Sequence, residues 1–347
     1  MTTAELVRKL PKVDLHCHID GSVRTSTLMH LAKKHGFKLP TNDVRKFEKY
    51  VKVSPKCKSL TEFLNRFEFF YDFLKFPDAV ERISYELTED VSKENVKYLE
   101  ARFAPHLQAN KNFKAAEVVK IAVDALNSGA RKNKIKAGII ICIYRNLPDE
   151  ANDEAIKLAE KYFGKGVVGI DLAGDEILYP TEKFIKYFDY ARSRSIPITC
   201  HAGEAGSAES IRPAVESHIQ RIGHGTHLYQ DENLLQLVKN NGIALEVCLT
   251  SNVQTKVVKS YGSHPFRKYF AGGLKVTLNT DDRSVSGIDL THEHLFAMKH
   301  YGLKISDLIK LTLNSVSALF LSESEKREIE GKLKKEISEI LKNGAEG

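Results

Sequence analysis

Apolar and polar residues alternate along Val13–Asp20, with Val13, Leu15, Cys17 and Ile19 interleaved with Asp14, His16, His18 and Asp20. A period of two is that of a strand, and side chains two apart share a face, so His16, His18 and Asp20 line one side together. Seven further runs read as strands of near-continuous apolar character: Val96–Ala104, Lys136–Tyr144, Gly166–Ala173, Ile196–His201, Arg221–His224, Ile243–Leu249 and Leu274–Asn279. Helical spacing occupies Ala115–Lys132, Ala151–Phe163, Thr181–Ser193, Ser207–Ser217 and Glu232–Asn240 between them. Apolar strands alternating with helices argue for a parallel sheet covered by helices. Eight such β/α steps are the number that closes a TIM barrel, so the expected class is α/β, a (β/α)8 barrel.

Two additions to the barrel are expected. A long helical stretch over about 24–95 follows the first strand, and within it Leu60, Phe63, Leu64 and Phe67 form an apolar stripe. Such a stripe packs on a core, and its place directly after the His-bearing strand also suits an apolar lid. Beyond Ser322, the residues Ile329, Leu333, Ile337 and Leu341 recur at helical spacing, which predicts a helix docked on the barrel with Asn343–Gly347 frayed. No linker, repeat or low-complexity segment breaks the series, so residues 1–347 read as one domain.

Composition narrows the class. The chain is 42% hydrophobic and 28% charged, as in soluble globular proteins. Its net charge of +7, from 52 Lys+Arg against 45 Asp+Glu, is mild and scattered, which gives no support to a nucleic-acid surface. Neither a signal peptide nor a bilayer-spanning run is visible, so no membrane partner is indicated. Five widely spaced cysteines without a C-x-x-C pair predict neither a disulfide framework nor a thiolate metal site. A reduced, cytoplasmic protein is expected.

Polar motifs fall at the carboxyl ends of the strands, the face that carries chemistry in such barrels. His16 and His18 end the first strand, Asp171 and Gly174 (DLAGDE) the fourth, and His201 and Glu204 (HAGE) the fifth. His224 (GHG) ends the sixth, Ser251 and Asn252 follow the seventh, and Asp281-Asp282 (NTDD) ends the eighth. His16, His18, His201 and Asp281 make a nitrogen–oxygen donor set suited to one Zn²⁺, although iron or manganese also tolerates these ligands. Zinc would bring the pKa of a coordinated water towards ~7.

The motifs HCHIDG, DLAGDE, HAGE, RIGHGTHL, TSNVQT and NTDD, in this order from about Leu10 to Ser322, resemble the adenosine deaminases. The resemblance implies a zinc-containing (β/α)8 barrel with His16, His18, His201 and Asp281 as metal ligands. It implies Glu204 as the acid that protonates purine N1, and His224 as the group that orients or deprotonates the water. It further implies Asp282 as the partner of N7, Gly174 as backbone donor to N3, and Asp20 as a contact to the ribose hydroxyls. Leu60, Phe63, Leu64 and Phe67 would cover the nucleoside, and Ser251 would support His224. A carboxylic acid shielded from water can remain protonated at neutral pH, as the Glu204 role requires. Position 283 is Arg where some members have proline, which is expected to alter the pocket rim.

The implied reaction is hydrolysis of adenosine, and of deoxyadenosine, to the 6-oxo purine and ammonia, with a purine nucleoside as the small-molecule partner. Adenine, a modified adenosine or a 6-aminopurine nucleotide is the alternative substrate. Against a nucleotide stand the negative charge of Asp20 and the absence of a long segment before Lys12, as in large AMP deaminases. A binuclear hydrolase would want a lysine at the end of the fourth strand, where DLAGDE has none. A non-catalytic nucleoside-binding protein would lack some of these groups, and all are present.

Overall fold

The computed structural model describes residues 2–345. Eight strands run in parallel: β1 (Lys12–His18), β2 (Val96–Phe103), β3 (Lys136–Tyr144), β4 (Val167–Ala173), β5 (Ile198–Ala202), β6 (Arg221–His224), β7 (Ala244–Val247) and β8 (Val276–Leu278). Each pairs with its successor in sequence order. The ring is completed beyond β8: Cys17 and Asp281 form a parallel bridge, the Asp281 N–H donates to His16 O (2.7 Å), and the His18 N–H donates to Asp281 O (2.8 Å). The expected barrel is therefore the observed one.

The strand cores lie where the apolar runs placed them, and the helices Ala115–Lys132 and Glu232–Asn240 have the expected bounds. Ser207–Ser217 is instead a 3₁₀ turn (Ala208–Ser210) and a short helix (Arg212–Glu216), with Pro213 in the first turn of the latter, where a missing N–H costs nothing. The stretch after β1 resolves into four helices, Thr25–Lys34, Val44–Val51, Leu60–Tyr71 and Pro77–Ser92. Asp43 caps the second by accepting from the Lys46 N–H, and Ser59 caps the third by accepting from the Glu62 N–H. Pro77 opens the fourth at its first position.

Both faces of the strands are buried, for different reasons. On β1, Val13 and Leu15 face outward into a cluster with Tyr98, Val316, Leu319, Ile329 and Leu333, so the C-terminal helix Glu323–Ala345 docks through its apolar stripe. That helix continues through Asn343, where fraying was expected; residues 346–347 of the expected frayed tail lie outside the described residues. The opposite faces of the strands point into the barrel and carry charge: Glu100, Arg102, Asp171, Arg221 and Glu246 are all 0% exposed. Buried charges require partners, and these have each other. Arg102 pairs with Asp171 (3.0 Å) and Glu246 (2.9 Å), while Arg221 pairs with Glu100 (2.6 Å) and Glu246 (2.6 Å). Phe320 closes the floor, its ring 3.5 Å beneath the Arg221 guanidinium and its N–H donating to Glu100. Among the described residues no helix is long and apolar enough to cross a membrane.

Candidate active site

The strand ends bring four histidines and one carboxylate together above this charged interior. Donor atoms of His16, His201, His224 and Asp281 all lie within 4.8 Å of one another. His18 joins them, its Nε2 3.3 Å from His201 Nε2 and 3.4 Å from Asp281 Oδ1. His16 Nε2 is 3.2 Å from Asp281 Oδ1. Asp281 holds its place in a left-handed backbone conformation (φ 60°), kept there by the two backbone hydrogen bonds to β1.

Carboxylates below decide how the rings present themselves. His16 Nδ1 faces Glu246 Oε2 at 2.8 Å, and His201 Nδ1 faces Asp171 Oδ2 at 2.9 Å. Each Nδ1–H donates downward, which leaves the Nε2 lone pairs of both rings converging above. Burial alone would push the Glu246 and Asp171 carboxyls up. For Glu246 the guanidiniums of Arg102 and Arg221, and for Asp171 His201 and Arg102, overcome this and hold each well below the usual carboxylate range. His16 Nε2 is buried and without a hydrogen-bond partner. An unpaired lone pair beside a carboxylate and two further imidazoles is what a divalent cation satisfies, and the residues present fit one.

Beside this cluster a cavity opens, and thirteen of the fourteen residues expected at the site, Ser251 among them, line it. Its polar side carries His18, Asp20, Gly174, Glu204 and Asp282 with His201, His224 and Asp281; its apolar wall is Leu60, Phe63, Leu64 and Phe67. His16 is the exception and sits beneath, 0% exposed. Burial, and then the charges of Asp281 and Glu176, push the Glu204 carboxyl well above the usual range. Asp282 is pushed up as well, by burial first and by Asp281, Asp20 and Glu204 next, and its Oδ1 has no partner. Asp20 accepts from the Tyr71 hydroxyl (3.2 Å) and the Gln108 amide (3.2 Å), and burial raises it to about 6.

Two expectations are corrected. Ser251 lines the cavity but does not bond His224; the group 3.0 Å from His224 Nδ1 is the Asn252 side-chain amide, one residue on. Arg283 does not shape the rim. It turns inward to pair with Glu94, whose other oxygen accepts from the Thr291 N–H.

Several contributing groups were given no role from the sequence, Glu176 among them although it ends DLAGDE. Its carboxylate accepts from the backbone N–H groups of Gly203 (2.8 Å), Ala205 and Gly206 (2.7 Å), and so clamps the turn that carries Glu204. Arg102 and Glu246 are others; a charged residue inside an otherwise apolar strand was the available signal. Gly21, the last residue of HCHIDG, has a steric reason to be glycine. A Cβ there would lie 1.7 Å from Asp282 Oδ1. Gly21→Ala is expected to displace that carboxyl and lower kcat/KM by about 10²-fold, while metal content stays unchanged by elemental analysis.

Residues 11–336 match the family model for adenosine deaminase. An adenosine deaminase of Clostridium acetobutylicum is 39% identical over 327 residues, covering 94% of this chain and 98% of its own. Among solved structures, an N6-methyl-AMP deaminase of Arabidopsis thaliana superposes with a TM-score of 0.85 at 28% identity, over 96% of this chain and 98% of that one. A zinc-bound amidohydrolase from Burkholderia ambifaria superposes with a TM-score of 0.89 at 25% identity, over 100% of this chain and 96% of that one. Fold, strand-end chemistry and sequence agree over nearly the full length, and the chain belongs to the adenosine deaminase family.

Proposed function

We propose that the protein hydrolyses adenosine, and 2′-deoxyadenosine, to the corresponding 6-oxo nucleoside and ammonia, with zinc held by His16, His18, His201 and Asp281. When bound, the cation supplies Lewis acidity that makes a water nucleophilic near neutral pH. The chain's own residues do the rest. Addition at C6 breaks the aromaticity of the purine, and the Glu204 carboxyl, kept protonated by burial, delivers a proton to N1 as that happens. Asp282, also kept protonated, is a donor matched to the acceptor N7. Asp20 faces the ribose hydroxyls, and the Gly174 backbone lies open to N3. Leu60, Phe63, Leu64 and Phe67 exclude water from the ring, which strengthens each of these contacts. The amino group leaves as ammonia.

One observation carries the choice of a nucleoside: among the described residues lining the cavity there is no lysine or arginine. A phosphate demands such partners, and here it would meet Asp20 instead. The test follows ultraviolet absorbance with adenosine, 2′-deoxyadenosine, adenine, AMP and N6-methyl-AMP. Turnover of the two nucleosides is expected to exceed that of the others by about 10²-fold or more, the range that unpaired buried polar groups supply. Preferential turnover of AMP would overturn the nucleoside assignment. Chelation is expected to abolish activity and one equivalent of Zn²⁺ to restore it; full activity in the metal-free protein would refute the metal role.

A further inference from the structure

His224 carries the least determined of the proposed roles, because its two ring nitrogens could act in opposite senses. Behind it runs a chain of buried polar groups with an unambiguous starting point. The backbone N–H of Phe266 can only donate, and it points at His264 Nδ1 from 3.0 Å. That nitrogen therefore carries a lone pair. His264 is 5% exposed, and burial depresses it to about 3, so its single proton sits on Nε2. His264 Nε2 faces Asn252 Oδ1 at 3.2 Å and donates to it. The amide is thereby oriented, with its NH₂ turned to His224 Nδ1 at 3.0 Å. His224 Nδ1 must accept, which leaves the ring's proton on Nε2.

From this chain we infer that His264 and Asn252 are positioning residues that hold His224 as the Nε2–H tautomer, with its proton facing the reaction centre. Nε2 lies 3.6 Å from Glu204 Oε2, and the ring centroid is 4.8 Å from that of His16 and 5.0 Å from that of His201. Held so, His224 donates a hydrogen bond to the attacking oxygen. It has no lone pair on Nε2 with which to ligate the cation or to remove a proton. The same assignment separates His224 from the other donors in the cluster and leaves His16, His18, His201 and Asp281 as the ligand set. His224's part in the chemistry rests on the deaminase reading; the tautomer itself does not.

Nitrogen-15 NMR of the zinc-loaded protein labelled at histidine decides it, with the His224 signals identified by their loss in His224→Gln. The expected spectrum shows a protonated Nε2 and a bare Nδ1. A proton on Nδ1, alone or together with one on Nε2, overturns the inference, and the wild-type protein itself supplies that measurement. Asn252→Asp supplies the converse. Both carboxylate oxygens accept, so His224 Nδ1 must donate and the tautomer inverts. We expect kcat to fall by about 10²-fold or more, as when a catalytic imidazole is held in the wrong tautomer, with KM within about twofold. An Asn252→Asp protein with wild-type spectrum and kcat would also overturn the inference. Wild-type protein with the expected spectrum but no turnover of adenosine would refute the deaminase reading and leave the tautomer standing.

Discussion

Glu204→Gln is expected to leave the protein folded and its metal in place while lowering kcat for adenosine by about 10³-fold, within the span assigned to a positioned general acid. The substitution keeps the shape and hydrogen-bonding reach of the side chain and removes only the transferable proton. Nothing else in the site replaces it. His224 faces the same region but its burial disfavours the charged form, and Asp282, the other carboxyl that burial pushes well up, is the one assigned to N7 rather than N1. The turn carrying Glu204 is clamped by Glu176 through backbone groups, so the amide occupies the same position and KM changes little. Initial rates followed by the ultraviolet change of adenosine, paired with metal analysis, check it. Activity within tenfold of wild type would take the proton-donor role away from Glu204.

Glu246→Ala is expected to have the largest effect on stability. Glu246 accepts from His16, Arg102 and Thr199 and forms an ion pair with Arg221, all within 3.0 Å and all buried. Removing it takes one of two carboxylate partners from each of two buried guanidiniums, Arg102 keeping Asp171 and Arg221 keeping Glu100, and breaking buried pairs in this way costs about 3–5 kcal/mol. For a chain of this size that loss corresponds to a fall in Tm of about 4–7 °C. The same change takes away the acceptor that keeps the His16 proton on Nδ1, so metal affinity is expected to fall by about 10–100-fold. A thermal scan and competition with a chromophoric chelator measure the two effects separately. An unshifted Tm would mean that one carboxylate apiece, Asp171 for Arg102 and Glu100 for Arg221, is enough to hold both arginines in the barrel interior.

The strands of this barrel could be read from the sequence because parallel strands are buried on both faces. Their residues form short apolar runs bounded by turns, and that pattern is local. The metal-type residues were visible for a related reason. Each sits at the carboxyl end of such a run, so the strand assignment alone carries His16, His201, His224 and Asp281 to one rim. The breakup of 24–95 into four helices was partly legible, at Pro40, Pro55 and Pro77, yet periodicity alone joined them. What the sequence could not supply were the relations between strands. Glu100, Arg102 and Glu246 look like solvent-facing charges until closure of the ring turns their faces inward, where each finds its partner on another strand. Likewise, nothing local distinguishes Ser251 from Asn252 as the neighbour of His224; which one reaches the imidazole depends on how the turn after β7 is set against β6. Sequence by itself determined the barrel and the residues on its reactive rim, because local periodicity and strand direction are enough for both. Only the tertiary structure decided how those residues are held, since proton positions and buried charge pairs depend on atoms brought together from distant parts of the chain.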